Sequence, residues 1–293
     1  MRKRSSRYKF LNFKHKRITI LGYGSQGRAQ ALNLKESGCN VVVGLRLESS
    51  SFKKAKKDHI SALPISEAIQ DTHLICFLIS DEFQGKVYDQ YVKPALKPGM
   101  TLVFAHGFSV VFKLIPKFPP FIDIVLIAPK VSGMQLRNSY LKKEDVTSLA
   151  SVYQNASGKA WEVAKAYSKA IGCQNMIKST FREETISNLF GEQTVKCGGV
   201  LDLMKLSYET LVKAGISPKV AFIECIQGMK SMIDLVETQS FKGLQKFISP
   251  IAYYGGISRG RRLVNEAQKK ELKNILKEIK SGQFAKEWMS KNS

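Results

Sequence analysis

Six residues, Gly22-Tyr23-Gly24-Ser25-Gln26-Gly27, follow the strand-like run Arg17-Ile18-Thr19-Ile20-Leu21 and lead into a helical pattern. That order of strand, glycine turn and helix is what a dinucleotide-binding crossover needs. Gly22 permits the tight turn and Gly24 lets backbone approach a pyrophosphate. Gly27 lets the helix pack close on the strand, with its unpaired N–H groups aimed at the anion. Because both flanks fit, the motif is expected to hold a nucleotide rather than to be an ordinary glycine turn. The next strand, Asn40 to Gly44, lies about twenty residues on, where an NAD enzyme usually sets an acid against the ribose hydroxyls. Here Arg46, Ser49 and Ser51 follow it, then Lys53, Lys54, Lys56 and Lys57. A guanidinium fork and hydroxyls suit a 2′-phosphate, which favours NADP(H) over NAD(H), with Glu48 the discordant charge.

A second chemistry is suggested further along. Asn188 and Glu192 stand four apart on one helical face, and Glu224 and Gly228 share that spacing. Paired acids so placed on two helices would cage a hard cation such as Mg2+. Only Glu192 and Glu224 are acids, however, and both sit among apolar neighbours. Two partly buried, hydrogen-bonded carboxylates without a metal is an equal reading.

The elements that must position these residues follow from periodicity. Apolar runs at His73–Ile79, Thr101–Ala105 and Asp123–Ile127 read as buried strands. Helices are expected over Ser66–Gln70 and from Ser80, where Asp81 and Glu82 favour the first turn. The pattern implies an α/β fold, an open parallel Rossmann-type sheet with ligands at the carboxyl ends of its strands. His106 and Lys130 fall at such ends. From about Thr180 the reading is helical: Glu183–Gly198, Asp202–Ala214, Pro218–Val236 and Glu266–Ser281. The chain is therefore divided into a nucleotide-binding domain, 1–178, and a helical domain, 179–293.

At 293 residues and 44% hydrophobic, the chain can bury a sizeable core. No stretch is apolar for the length a membrane span requires, and the start lacks the pattern of a secretory signal. Five scattered cysteines are read as reduced core residues, which suits the cytoplasm. The net charge of +22 raises a nucleic-acid partner. Outside the basic first seventeen residues, though, the excess is diffuse and no recognition motif accompanies it. Solvated lysine-rich faces, with no specific nucleic acid and no membrane partner, are expected.

Over nearly its whole length the chain resembles the short-form ketol-acid reductoisomerases. The resemblance is carried by GYGSQGRAQALNLKESG (22–38), VVVGLR (41–46), DEFQ (81–84), FAHGF (104–108), APK (128–130), TFREET (180–185), LFGEQ (189–193), CGG (197–199), ETLVKAG (209–215), FIEC (222–225), FIS (247–249) and GQFAKEW (282–288). It implies a Rossmann domain followed by a knotted all-helical domain, in a homo-oligomer that is at least a dimer. The implied reaction, in valine and isoleucine biosynthesis, is a Mg2+-dependent alkyl migration in an acetohydroxy acid, then hydride transfer from NADPH. Matched residue by residue, Tyr23 to Gln26, Arg46, Ser49, Ser51, Asp81, Glu82, Phe83, Gln84 and Gly133 would bind NADP(H). His106 and Lys130 would be catalytic, Glu192 and Glu224 metal ligands, and Ser249 a substrate contact.

The departures fall on the chemistry. The family's DLFGE aspartate is Asn188, and its HELK motif reads Gln227-Gly228-Met229-Lys230. GPGH becomes Val131-Ser132-Gly133-Met134, the aspartate after the substrate serine is Pro250, and Tyr253 replaces a glutamate. Unit charges near 4 Å interact by about 4 kcal/mol at an effective dielectric of about 20, so losing two should weaken Mg2+ binding by orders of magnitude. The migration needs metal ions as Lewis acids. Expected, then, is a ketol-acid reductoisomerase-type protein with its metal step impaired, or rescued by a repositioned acid such as Glu184. The alternative is a non-catalytic NADP(H)-binding descendant with a regulatory or structural role.

Overall fold

The computed structural model describes residues 16–292, so the basic start of the chain from Arg2 to Lys14 lies outside the described residues. The chain divides into two compact units. The first runs to Thr185 and takes in the residues from Trp288, and the second spans Ile186–Glu287.

In the first unit, β1 (Arg17–Leu21), α1 (Ser25–Glu36), β2 (Asn40–Leu45), α2 (Ser51–Lys57), β3 (Ser61–Pro64) and α3 (Ile65–Ala68) build the opening crossovers. They are followed by β4 (Leu74–Phe77), α4 (Asp81–Val87), a π-helical turn (Tyr88–Val92), α5 (Lys93–Ala95), β5 (Thr101–Phe104), α6 (Phe108–Val111) and β6 (Asp123–Pro129). Then come α7 (Gly133–Lys142), β7 (Thr147–Gln154), α8 (Ala160–Ala170) and β8 (Asn175–Lys178). The eight strands form one sheet in the order β3-β2-β1-β4-β5-β6-β7-β8. The order reverses between β1 and β4, which opens a crevice at their carboxyl ends, beside the glycine turn.

Central strands are buried on both faces, which is why they read as continuous apolar runs. Ile18, Ile20, Val43, Cys76, Val103 and Val125 pack on one side with Ala29 and Leu34 of α1 and Ala164 and Tyr167 of α8. Leu21, Ile75, Phe77, Leu102, Phe104, Ile124 and Leu126 pack on the other with Tyr88, Ile115 and Phe118. The alternation is the two-residue period of a strand.

The expected sheet needs one correction: β7 runs antiparallel to β6, so the sheet is not wholly parallel. Sequence reading also passed over β3, β7 and β8. β7 (TSLASVYQ) mixes polar with apolar residues, and β8 (NMIK) is a short, largely exposed edge. β3 ends in Pro64, which only an edge strand tolerates.

The second unit is helical. α9 starts at Phe181 and ends at Gly191, and a π-helical turn, Glu192–Lys196, replaces the α-helix expected to Gly198. α10 (Gly199–Lys213), α11 (Pro218–Phe222), a second π-helical turn (Ile223–Gln227) and α12 (Gly228–Gly243) follow. α12 outruns the expected end at Val236 and kinks where Ser240 takes a φ of +59°. α13 (Pro250–Leu263) and α15 (Gln283–Asn292) were not anticipated, whereas α14 spans Glu266–Ser281 as read. Asn265 and Gln268 form a capping box at its start, and Gly282 closes it at a φ of +80°.

Candidate functional site

The glycine turn has the geometry that its spacing implied. Gly22 takes a φ of +96° and donates its N–H to Gly44 O at 3.1 Å. A methyl group at Gly27 would overlap the Gly22 carbonyl oxygen, so this glycine seats α1 against the turn. A Cβ at Gly24 would meet no protein atom within 4 Å, and this residue caps α1 without a side-chain hydrogen bond. The first N–H groups of α1 are thus left without a side-chain cap at the mouth of the crevice, with Ser25 exposed beside them.

The side chains of the motif are largely committed inward. Tyr23 is buried, and its hydroxyl donates to Asp58 Oδ2 at 2.9 Å. Burial first, then Asp58, push the Tyr23 hydroxyl well above its usual range. Arg28 grips the same carboxylate through two bonds of 2.6 and 2.8 Å, and its hydrogen bonds hold Asp58 below the usual carboxylate range. Tyr23 can therefore meet a ligand only through its backbone. Gln26 donates from Nε2 to Val131 O at 2.9 Å, tying the turn to the loop after β6. In that loop Ser132 caps α7 in a capping box with Gln135. A Cβ at Gly133 would run into the backbone of Ser25, so glycine is required for α7 to pack here.

At the end of β2, Arg46 is exposed and lays its guanidinium 5.7 Å from the ring centroid of Phe83. Two expected ligand residues from separate elements thus form one cationic, flat surface, a pairing that spacing could not show. Ser49 and Ser51 are half-buried, and Ser49 Oγ accepts the Ser51 N–H at 3.3 Å.

Asp81 and Gln84 also make contacts within the protein. Asp81 Oδ2 lies 2.8 Å from His106 Nδ1, while its Oδ1 accepts from Gln84 Nε2 at 3.0 Å. Gln84 is buried, donates also to Ile79 O at 3.1 Å, and accepts from Ser109 Oγ at 2.7 Å. Both side chains orient His106. Glu82, in the same first turn, is half-buried. Lys130, at the end of β6, places Nζ 2.6 Å from Oε1 of Glu184, whose side chain is 1% exposed. Glu184 is therefore held by Lys130 and is no free acid, against the expectation that it might be repositioned toward a metal.

The second unit holds the residues read as metal positions. Lys196 Nζ donates to Asn188 Oδ1 at 3.4 Å and lies 3.7 Å from Glu192 Oε1. Glu192 is half-buried beside Lys196, as read, whereas Glu224 is exposed, which corrects its reading as a partly buried carboxylate. The apolar neighbours of Glu224, among them Phe222 and Ile223, are themselves exposed. A Cβ at Gly228 would meet only Ile223 O, at an ordinary 3.5 Å, so space does not demand glycine. Among the described residues no three His, Cys, Asp or Glu side chains gather as a metal cluster. Of the four positions, Glu192 and Glu224 hold carboxylates, Asn188 a neutral amide and Gly228 no side chain, and Glu192 already lies beside an ammonium, so the donor set falls short of a dinuclear divalent site. Ser249 accepts the Ala252 N–H at 3.3 Å as the cap of α13, with Pro250 at its first position.

The cysteines divide. Cys76 and Cys173 are buried, and burial pushes both thiols up to about 12. Cys39 and Cys225 are half-buried, but Cys197 is exposed, which corrects its reading as a core residue. It directly follows the π-helical turn.

Comparison with known proteins places both units. Residues 12–176 match the family model described as acetohydroxy acid isomeroreductase, NADPH-binding domain. Residues 181–293 match ketol-acid reductoisomerase, C-terminal domain. The chain is 45% identical over 278 residues to the ketol-acid reductoisomerase (NADP(+)) of Sulfolobus acidocaldarius, covering 94% of this chain and 83% of the relative. It is 42% identical over 281 residues to that of Clostridioides difficile, covering 95% and 85%. A solved NADH-preferring ketol-acid reductoisomerase from an uncultured archean superposes with a TM-score of 0.87 at 40% identity, over 95% of this chain and 86% of that one.

Proposed function

This chain belongs to the ketol-acid reductoisomerase family, and from that premise we propose that it binds NADP(H) through its first unit while the family's Mg2+-dependent alkyl migration on acetohydroxy acids is impaired. One observation carries this reading: Gly22, Gly24 and Gly27 keep the geometry of a nucleotide turn, whereas an ammonium lies beside Asn188 and Glu192. The residues present fit the cofactor. The N–H groups of α1 and the bare backbone of Gly24 would hold the pyrophosphate. Arg46, with Ser49 and Ser51, would take a 2′-phosphate, and Phe83 steadies the Arg46 guanidinium. One solved relative is described as preferring NADH, but the absence of an acid just after β2 other than Glu48 favours NADP(H) here.

The cofactor supplies a hydride for carbonyl reduction when bound. The chain's part is to position and to handle protons. A carboxylate can only accept, so the Asp81 contact assigns the proton to His106 Nδ1 and fixes the ring's orientation. Lys130 holds a positive charge at the end of β6 against the buried Glu184. Ser249 Oγ accepts as a cap, and its O–H would be the substrate's donor. No step is routed through Mg2+, whose donor set is incomplete.

The second unit leaves Leu206, Ile233, Phe241, Ile251 and Tyr254 exposed, which supports a homo-oligomer of at least two chains. Free, buried thiols at Cys76 and Cys173 suit a reducing compartment, the cytoplasm. No helix among the described residues is long and apolar enough to cross a membrane.

Steady-state turnover of acetolactate with NADPH and Mg2+ tests the reading, alongside direct supply of the rearranged 3-hydroxy-2-oxo acid. Impaired migration predicts NADPH binding with acetolactate turnover far below that of an intact family member. Comparable turnover would refute it. Lys196 beside Asn188 and Glu192 favours a second reading, a non-catalytic NADP(H)-binding protein. That reading predicts no reduction of the rearranged acid either.

A further inference from the structure

Lys196 reaches two side chains at once. Its Nζ lies 3.4 Å from Asn188 Oδ1 and 3.7 Å from Glu192 Oε1. In an unbroken α-helix, Lys196 would stand about 40° round from Glu192 but about 80° round from Asn188. The π-helical turn Glu192–Lys196, closed by the Cys197 N–H to Glu192 O bond of 2.8 Å, takes up an extra residue and so reduces the rotation. Because helical side chains lean toward the N-terminus, the lysine stem then runs back over both acceptors.

Building on the impaired-metal reading above, we propose that Lys196 is a tethered cation that occupies the Asn188–Glu192 pair in place of a divalent metal and excludes one. The chemistry of the set is consistent. At the pair itself a neutral amide, one carboxylate and one ammonium carry no net charge, which leaves Glu224 as the one remaining acid of the four positions to attract a dication. Asn188 Oδ1 accepts from the ammonium, and Glu192 is neutralised by it. The missing side chain at Gly228 was not removed for want of room, since a Cβ there meets only an ordinary contact. An exposed lysine–glutamate pair four residues apart contributes little to stability by itself. What sets this one apart is the second acceptor, brought into reach by the π-helical turn.

The test uses Mn2+ alone as probe, read as loss of the free-ion paramagnetic resonance signal in the full-length, NADPH-saturated protein. Five proteins are compared: the natural chain, Lys196→Met, the Asn188→Asp/Gly228→Glu pair, the triple combination, and the pair with Lys196→Arg. The proposal expects no saturable binding by the natural chain below about 1 mM. It expects the triple variant to bind at least tenfold more tightly than the double. Lys196→Arg added to the double should leave affinity low, since it keeps the charge. Equal affinity of double and triple, with the natural chain still silent, overturns the role of Lys196 alone. Tight Mn2+ binding by the natural chain overturns the impaired-metal reading with it.

Discussion

The glycine turn of the first unit and the Asn188–Lys196 face of the second are constrained in different ways. In the turn, Gly22, Gly27 and Gly133 stand where backbone atoms crowd any added carbon, so residue type is dictated by the chain's own packing. On the helical face, Asn188, Glu192, Lys196 and Gly228 are half-exposed or exposed, and the helices form around them regardless. A site made by backbone shape cannot lose its residues without disturbing the fold. One made by surface charge can be rewired while the fold stands.

The largest expected contrast lies between two lysine–glutamate pairs. Lys130→Met takes the ammonium from a carboxylate whose side chain is 1% exposed, and breaking such a pair costs roughly 3–5 kcal/mol. Adding Glu184→Gln should recover much of that loss. Glu192→Gln, at the half-exposed pair, should cost less than about 1 kcal/mol. Denaturant midpoints at fixed NADPH measure all three, and equal losses at the two pairs would break the comparison.

A smaller contrast separates two glycines. Gly133→Ala must displace α7 from Ser25, at about 1–3 kcal/mol, and should weaken NADPH binding at least tenfold by disturbing the turn. Gly228→Ala meets only an ordinary contact with Ile223 O and should be neutral or stabilise α12 by up to about 1 kcal/mol. Thermal unfolding and fluorescence titration of NADPH would separate these outcomes.

The smallest effect concerns Asp58, which joins α2 to the turn through Tyr23 and Arg28. Asp58→Asn should cost about 1 kcal/mol at neutral pH, discounted because Arg28 is half exposed. The carboxyl is held below its unfolded value, so its contribution is present above about pH 4 and is lost as pH falls through the folded value. The gap between natural and variant midpoints should therefore close on acidification, and a gap that widened would reverse the assignment.

These contrasts also explain what could be read in advance. The turn was legible because its requirements fall on six consecutive residues flanked by a strand and a helix. The central strands were legible because burial on both faces makes them uniformly apolar. β7 was not, since its mixed residues carry no such run, and α13 was missed although Ser249-Pro250 is a helix start. The Lys130–Glu184 pair spans 54 residues, and no local pattern links its members. Asp81 matched a cofactor motif, but its contact with His106 across 25 residues has no local signature. Lys196 escaped notice because eight α-helical residues turn it away from Asn188, and the π-helical turn brings both acceptors into its reach.

The central claim, an intact nucleotide turn in the first unit and a metal face turned over to a lysine in the second, is tested most directly by calorimetry. NADPH is titrated into the natural protein, and Mg2+ is then titrated into the saturated complex. The account predicts saturable NADPH binding followed by no saturable Mg2+ heat below about 1 mM. Saturable Mg2+ binding in the micromolar range would contradict it.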